Sequence, residues 1–187
     1  MLILLTGEPG IGKSTVLLRL VELLKEEGMS VGGVVAKEVR DDASKRRIGF
    51  EFIDVTDGSR ARLASIGIDG PRIGRYGVDL DGCKAAATML LRSMDCNKVI
   101  VFDEIGPMEL LSPDIVESLR YLLDVYSSSS RRRREDTIVL AVIHKRFRHW
   151  IISKYKERAS MIIEVNEENR GSLPEMLLDA IKKKDKR

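Results

Sequence analysis

The sequence predicts an α/β fold in which helices cover both faces of a mostly parallel sheet, with a small antiparallel insertion near residues 31–78. Two observations support this prediction. Short, continuously apolar runs recur along the chain, and such runs are typical of strands that are buried on both faces. Amphipathic stretches of helical period separate these runs. The 187 residues, 43% hydrophobic and 33% charged, suit one compact domain that spans residues 1–187.

A glycine-rich loop lies between the first strand and the first helix. Residues 2–5 form an apolar run that predicts a strand, and the apolar residues of segment 17–24 recur at helical spacing. Between them, Gly7-Glu8-Pro9-Gly10-Ile11-Gly12-Lys13-Ser14 matches G-x-x-x-x-G-K-[ST], the phosphate-binding P-loop or Walker A pattern. Glycines let the backbone turn its N–H groups inward around an anion. The alternative, a chance glycine turn before a helix, leaves the agreement at all four fixed positions unexplained.

This loop predicts a set of phosphate contacts. Lys13 is expected to reach the β- and γ-phosphates and to act in catalysis, and Ser14 is expected to ligate Mg²⁺. The predicted nucleotide-binding residues of the segment are Gly7, Glu8, Pro9, Gly10, Ile11, Gly12, Lys13, Ser14 and Thr15.

Segment 31–78 predicts the antiparallel insertion. Apolar residues alternate from Ile48 to Phe52, as in a half-buried strand, and Asp57-Gly58 is a hairpin signal. The expected strands cover residues 31–39, 48–52 and 60–65. The charged turn between the first two strands suggests an arginine finger that closes over a nucleotide, with exposed surface charge as the alternative. Its candidate residues are Arg40, Arg46 and Arg47.

The rest of the chain alternates between helix and strand. Asp81 is the expected N-cap of the second helix, and Ser112-Pro113 places an N-cap before a proline at the first helical position. Residues 172–175 form a capping-box pattern that opens the last helix. The expected elements are a helix over 81–94, a strand over 98–103, a helix from 113, a strand over 137–143, a helix over 147–156, a strand over 160–165 and a final helix from 173.

An apolar strand that ends in two acids gives a Walker B pattern, Val99-Ile100-Val101-Phe102-Asp103-Glu104. Ligands of parallel sheets bind outside the carboxyl ends of the strands, so both acids are expected to face the P-loop. Asp103 is predicted to hold Mg²⁺ opposite Ser14. Glu104 is predicted to orient or deprotonate the attacking water. The alternative is a pair of solvated charges at a strand end.

Several strings, taken together and in this order, resemble the THEP-type nucleoside-triphosphatases, small P-loop proteins with a cancer-related relative in animals. The most specific of them is Asp-Glu-Ile-Gly-Pro-Met-Glu-Leu at 103–110. The others are Gly7–Ser14, Glu38-Val39-Arg40, Arg47-Ile48-Gly49-Phe50, Tyr76-Gly77-Val78 and Asn166-Glu167-Glu168-Asn169-Arg170. The resemblance implies the three-layer P-loop NTPase fold and Mg²⁺-dependent hydrolysis of ATP, GTP, CTP and UTP with weak discrimination among bases.

The resemblance also implies a second segment that lines the nucleotide site. Its residues are Lys98, Val99, Ile100, Val101, Phe102, Asp103, Glu104 and Ile105. Asn169 and Arg170 precede the last helix, where P-loop proteins often hold the base, and Arg170 could stack on it. The chain departs from the family at Val142, where relatives commonly carry a threonine able to sense the γ-phosphate. His144 is a candidate substitute.

Ser127–Arg134, four serines followed by four arginines, is the other departure from the family. This loop suggests two alternatives, a solvated charge run or a nucleic-acid contact. A nucleotide-switched nucleic-acid-binding module through residues 131–134 is therefore one alternative function, and a small-molecule kinase is another.

Composition limits the partners. The net charge of +3 does not require an acidic partner, and the 5% aromatic content argues against a base-stacking platform. Cys83 and Cys96 have no metal-ligand spacing and are expected to be structural thiols. The absence of a long apolar run predicts no membrane association and a cytoplasmic protein.

Overall fold

The structure, a computed structural model, describes residues 1–127 and 137–185. These residues form nine strands, five α-helices and one 3₁₀ turn. In chain order they are β1 (Leu2–Thr6), α1 (Lys13–Glu26), β2 (Val31–Arg40), β3 (Arg47–Asp54), β4 (Arg60–Ser65), β5 (Arg72–Ile73), β6 (Tyr76–Val78), α2 (Leu80–Cys96), β7 (Val99–Ile105), the 3₁₀ turn (Glu109–Leu111), α3 (Pro113–Ser127), β8 (Ile138–Ile143), α4 (Trp150–Arg158), β9 (Met161–Glu164) and α5 (Leu173–Asp185).

All nine strands belong to one sheet, in the order β5-β6-β4-β3-β2-β7-β8-β1-β9. The half that contains β2, β7, β8, β1 and β9 is parallel, and the other half is antiparallel. The α/β prediction with an antiparallel insertion is thus confirmed. Strand β2 belongs to both halves, because its first residues pair in parallel with β7 while its later residues pair with β3. The insertion therefore begins within β2 rather than at Val31.

Helices cover both faces of the parallel half, and this explains the continuously apolar strands. Leu2 and Leu4 of β1 pack into the core on the face of α2, α3 and α4. Ile3 and Leu5 pack into the core on the face of α1 and α5. A strand buried on both faces needs apolar residues at every position. Burial of each such side chain contributes about 1.5–3 kcal/mol.

Two predicted helix starts are wrong, and local hydrogen bonds give the reason. Asp79, not Asp81, caps α2, because its Oδ1 accepts from the Gly82 N–H at 3.0 Å. Helix α4 begins at Trp150 rather than at Phe147, because residues 144–149 form a separate turn. In that turn His144 Nδ1 accepts from the N–H groups of Arg146 and Phe147, at 3.3 and 2.9 Å.

Two further predictions concern the basic loop and association with a membrane. Beyond Ser127, which ends α3, the predicted basic loop lies outside the described residues. Over residues 1–127 and 137–185, no helix is both long and apolar enough to cross a membrane.

Candidate active site

The P-loop connects the carboxyl end of β1 to the first turn of α1. Gly10 and Gly12 have φ of 78° and 104°, in the left-handed region that favours glycine. Gly12 is the N-cap of α1, and among the described residues no side chain caps that helix. The first N–H groups of α1 are therefore left for another acceptor, and an anion is the acceptor that the helix dipole favours.

The Lys13 side chain is folded back over this loop. Its Nζ donates to the carbonyl oxygens of Gly7 and Glu8, at 3.3 Å each. Both hydrogen bonds are long, and the ammonium group has a third donor. The residue is buried, so a phosphate in the loop would meet this charge in a poorly hydrated environment.

Asp103 lies at the carboxyl end of β7, on the same edge of the sheet as the P-loop. Its side chain is 1% exposed, and neither carboxylate oxygen has a hydrogen-bond partner among the described residues. Burial raises the pKa of Asp103 to about 7; the neighbouring Ser14 hydroxyl and Lys13 ammonium oppose this rise, and the Glu104 charge adds to it. The fold therefore brings Asp103, Ser14 and Lys13 together, as the two motifs predict.

The side chain of Val142 is one reason why the Asp103 carboxylate has no hydrogen-bond partner among the described residues. Val142 lies between Ala141, the partner of Phe102, and Ile143, the partner of Ile105, so the Asp103–Glu104 pair falls opposite it where the β7–β8 register shifts. Val142 is fully buried and offers no hydrogen bond, so the predicted loss of a polar sensor is consistent with the structure. The candidate substitute His144 has Nδ1 engaged by two N–H groups of its own turn.

Glu104 is half-buried at the same strand end. Its Oε1 is buried and, within the described part of the chain, has no hydrogen-bond partner. The peptide bond that joins it to Asp103 is cis. A carboxylate oxygen without a hydrogen-bond partner has lone pairs available to a water molecule.

Most of the second predicted segment supports the site instead of lining it. Val99, Ile100, Val101 and Phe102 are fully buried in the two cores. Lys98 precedes the amino end of β7, where its N–H bonds to Ser30. Five residues of strand span roughly 16 Å, so Lys98 lies at the opposite edge of the sheet from Asp103. Among these residues only Asp103 and Glu104 face the P-loop edge, and Ile105 is buried behind them.

Arg170 does lie against the P-loop. Its Nη1 donates to the carbonyl oxygen of Ile11 at 3.3 Å. Asn169 instead holds the turn after β9, where its side chain bonds to Asn166 and to the carbonyl oxygen of Glu164. Arg170 thus remains a candidate for contact with nucleotide, and Asn169 has a structural role.

The predicted arginine-finger residues lie on the β2–β3 hairpin. Arg40 and Arg47 both pair with Glu38, at 2.5 and 2.7 Å, and Arg47 also donates to the Tyr76 hydroxyl at 3.0 Å. Arg46 is exposed. These contacts hold Arg40 and Arg47 to the hairpin itself and not to the P-loop.

Glu109 is a buried acid whose role the sequence analysis missed. Burial raises its pKa to about 8; backbone N–H groups of Glu109 and Gly106 oppose the rise, and the charges of Glu104 and Asp103 add to it. A Cβ on Gly106 would stand 3.0 Å from Glu109 Oε2 and 3.6 Å from Glu104 Oε1. Gly106 therefore lets two carboxyl groups share one small space. The signal in the sequence was a lone acid among Ile105, Met108 and Leu110.

Two cations after β8 were also missed. Lys145 Nζ lies 2.9 Å from Glu8 Oε1, and Arg146 Nη2 lies 3.0 Å from the same oxygen. These ion pairs join the end of β8 to the first variable residue of the P-loop. No motif marks the two residues, because their role depends on which strand lies beside β1.

Comparison with known proteins places this site in a family. A family model described as NTPase matches residues 2–178. The chain belongs to this NTPase family. Nucleoside-triphosphatase THEP1 of Methanopyrus kandleri is 38% identical over 181 residues, which cover 96% of this chain and 94% of that protein. The chain is an enzyme of the nucleoside-triphosphatase class, as predicted.

Two solved structures of the family share the fold. The solution structure of a human cancer-related nucleoside triphosphatase is 31% identical, with a TM-score of 0.78 over 97% of each chain. The crystal structure of THEP1 from the hyperthermophile Aquifex aeolicus is 28% identical, with a TM-score of 0.78 over 97% of this chain and 99% of that one. The resemblance inferred from the sequence motifs is thus confirmed.

Proposed function

We propose that this NTPase hydrolyses ATP, GTP, CTP and UTP to the diphosphate and inorganic phosphate, with Mg²⁺ as cofactor and water as acceptor. The observation that supports this best is the juxtaposition of Asp103 with Ser14 and Lys13 at one sheet edge. These side chains are suited to bind phosphate or a metal ion, and none of them is placed to recognise a particular nucleobase. This arrangement supports hydrolysis with weak discrimination among nucleobases.

A divalent cation fits the donors. Burial of an ionised carboxylate without hydrogen-bond partners costs free energy. Among the described residues, neither oxygen of the Asp103 carboxylate has such a partner. A hard cation prefers oxygen ligands. The Ser14 hydroxyl and the Asp103 carboxylate would hold Mg²⁺, which when bound neutralises charge on the phosphate oxygens.

The remaining steps belong to residues of the chain. The P-loop N–H groups and Lys13 hold the phosphates and stabilise the charge that develops on them. Glu104 accepts a proton at its carboxylate from the water that attacks the γ-phosphorus. We also infer that residues 1–187 act as one domain, since a single sheet contains every strand of the described residues.

Phosphate release from each of the four triphosphates, with Mg²⁺ and without any added acceptor, tests this function. We expect release with all four and a loss of release when EDTA removes the metal. Negligible release alone, with phosphorylation of an added hydroxyl compound, would identify a kinase. Release only when DNA or RNA is added would favour the nucleotide-switched module.

A further inference from the structure

A turn after β8 places two cations against the P-loop. Strand β8 lies between β1 and β7, so residues that follow it emerge between the P-loop and the Asp103–Glu104 pair. The His144 N–H bonds to the Ile105 carbonyl oxygen at 3.1 Å, and His144 Nδ1 accepts from the N–H groups of Arg146 and Phe147. The backbone that carries Lys145 and Arg146 is therefore fixed.

The two cations are held differently. Lys145 bridges Glu8 and Glu164, at 2.9 and 2.6 Å, and is 32% exposed. Arg146 is 76% exposed, and in the described part of the chain Glu8 is its one ion-pair partner. Its Nη2 lies 3.0 Å from both Glu8 oxygens. Lys145 is anchored on two sides, and Arg146 is free to exchange its partner.

Arg146 can exchange Glu8 for a phosphate group at a small cost in free energy. Exposed ion pairs contribute little to stability, so the contact between Arg146 and Glu8 is readily given up. A triphosphate has several negative charges, and a guanidinium group donates to two phosphate oxygens at once. Because β8 lies between β1 and β7, this turn leaves the sheet between the P-loop and the strand that carries Glu104.

We propose that Arg146 binds the γ-phosphate in cis during hydrolysis, and that Glu8, which Lys145 also contacts, holds it beside the P-loop before the nucleotide enters. Arg146 is then the arginine finger of this chain. The assignment rests on the proposed function, because it names a further residue of the same phosphate site. It replaces Arg40 and Arg47, which Glu38 holds on the β2–β3 hairpin.

The test compares R146A, R146K and R120A. Arg120 is a matched control, because it is also an exposed arginine held by carboxylate groups, those of Glu117 and Asp124, but it lies on α3. We expect kcat to fall about 10³-fold in R146A, the lower end of the range for an arginine finger. R146K should recover part of the loss, since it keeps the charge without the planar fork. R120A should match the parent.

Nucleotide binding gives a second readout that does not depend on turnover. The affinity of R146A for a triphosphate should fall while its affinity for the diphosphate is unchanged, because only the γ-phosphate is lost as a partner. A kcat within about twofold of the parent, with the same ratio of triphosphate to diphosphate affinity, would overturn the assignment. A parent protein that releases no phosphate would instead overturn the proposed function, so the two failures are distinguishable.

Discussion

Asp103 and Glu104 are neighbours in the chain, yet their surroundings give the two carboxylates different chemistry. Asp103 is almost fully buried beside Ser14 and Lys13, where a metal ion can replace the lost hydration. Glu104 keeps part of its surface in solvent, where water can reach it. Adjacent residues of a strand normally point to opposite faces, and the β7–β8 register shifts between Phe102 and Ile105. Both acids lie near the carboxyl end of β7, at the edge of the sheet where the P-loop follows β1.

Replacement of Glu104 by Gln should abolish hydrolysis without loss of nucleotide binding. The amide cannot accept a proton from water, while Lys13 and the P-loop still hold the phosphates. The expected fall in kcat is roughly 10²- to 10⁴-fold, or about 3–5 kcal/mol of barrier. Phosphate release and the Kd for the triphosphate measure the two effects. Near-normal turnover in this variant would mean that another group accepts the proton.

Glu109 should make the metal-free protein less stable as the pH rises. The folded protein keeps the proton of Glu109 up to about pH 8, whereas the unfolded chain releases it near its ordinary pKa of 4.5. The unfolded state therefore binds fewer protons in this interval, and the free energy of unfolding falls as the pH increases through it. Each unit of pKa difference corresponds to about 1.4 kcal/mol.

Replacement of Glu109 by Gln should remove the part of this fall that Glu109 contributes, while the raised pKa of Asp103 continues to contribute its own part. The amide oxygen can still accept from the backbone, and the amide does not ionise. Urea unfolding of the parent and of E109Q, without metal, should show a difference that grows from about pH 4.5 to about pH 8 in favour of the variant. A constant difference across that range would show that Glu109 does not titrate there.

The site residues that the sequence predicted belong to motifs with short, fixed spacing. Lys13 and Ser14 follow the P-loop glycines directly, and Asp103 follows four apolar residues near the end of β7. Arg146 meets Glu8 across more than a hundred residues, and only the position of β8 beside β1 brings them together. Lys98 was misplaced because a sequence motif does not show where a strand leaves the site.

Among the elements, the start of α2 shows how a single hydrogen bond decides a boundary. Two acids two residues apart both suit a cap, and the sequence favoured the wrong one. Asp79 Oδ1 accepts from the Gly82 N–H, while its Oδ2 lies 3.7 Å from Arg62 on β4. A cap that also faces the adjacent strand is set by tertiary structure, which propensity alone does not contain.

Substitution of the two acids separates these roles. Asp79→Ala should destabilise the protein by about 0.5–2 kcal/mol, because the N–H of the first turn loses its acceptor. Asp81→Ala should cost less than about 0.5 kcal/mol, since Asp81 is an exposed residue within the first turn. Chemical denaturation measures both. Equal losses of stability in the two variants would contradict the assignment of the cap.

On the scale of the whole molecule, the two edges of the parallel sheet have separate roles. The carboxyl ends of β1, β7 and β8 form the candidate active site. The amino ends of the same strands lie at the other edge, where the Met1 ammonium donates to the Thr137 carbonyl oxygen at 2.9 Å. The predicted basic segment follows α3 and precedes β8, so it joins the chain at this second edge.

Replacement of Arg131–Arg134 by serine should therefore leave the kcat for free triphosphates within about twofold of the parent. Strand β8, which follows this segment in the chain, begins at the edge opposite the site, and salt screens interactions between charges separated by more than about 10 Å. Steady-state kinetics at two salt concentrations measure this. A nucleic-acid affinity of the parent that falls steeply with salt, and less steeply in the serine variant, would assign the segment to nucleic-acid binding.

The place of β1 in the sheet has a consequence for synthesis on the ribosome. Both neighbours of β1, β8 and β9, are translated more than a hundred residues after it. Until they emerge, the nascent chain has a strand with four consecutive apolar residues, Leu2 to Leu5, and with both hydrogen-bonding edges open, and such a strand readily pairs with other chains. The P-loop at its end cannot take its final form before the last quarter of the chain is made. Nucleotide binding is therefore expected only when translation is nearly complete.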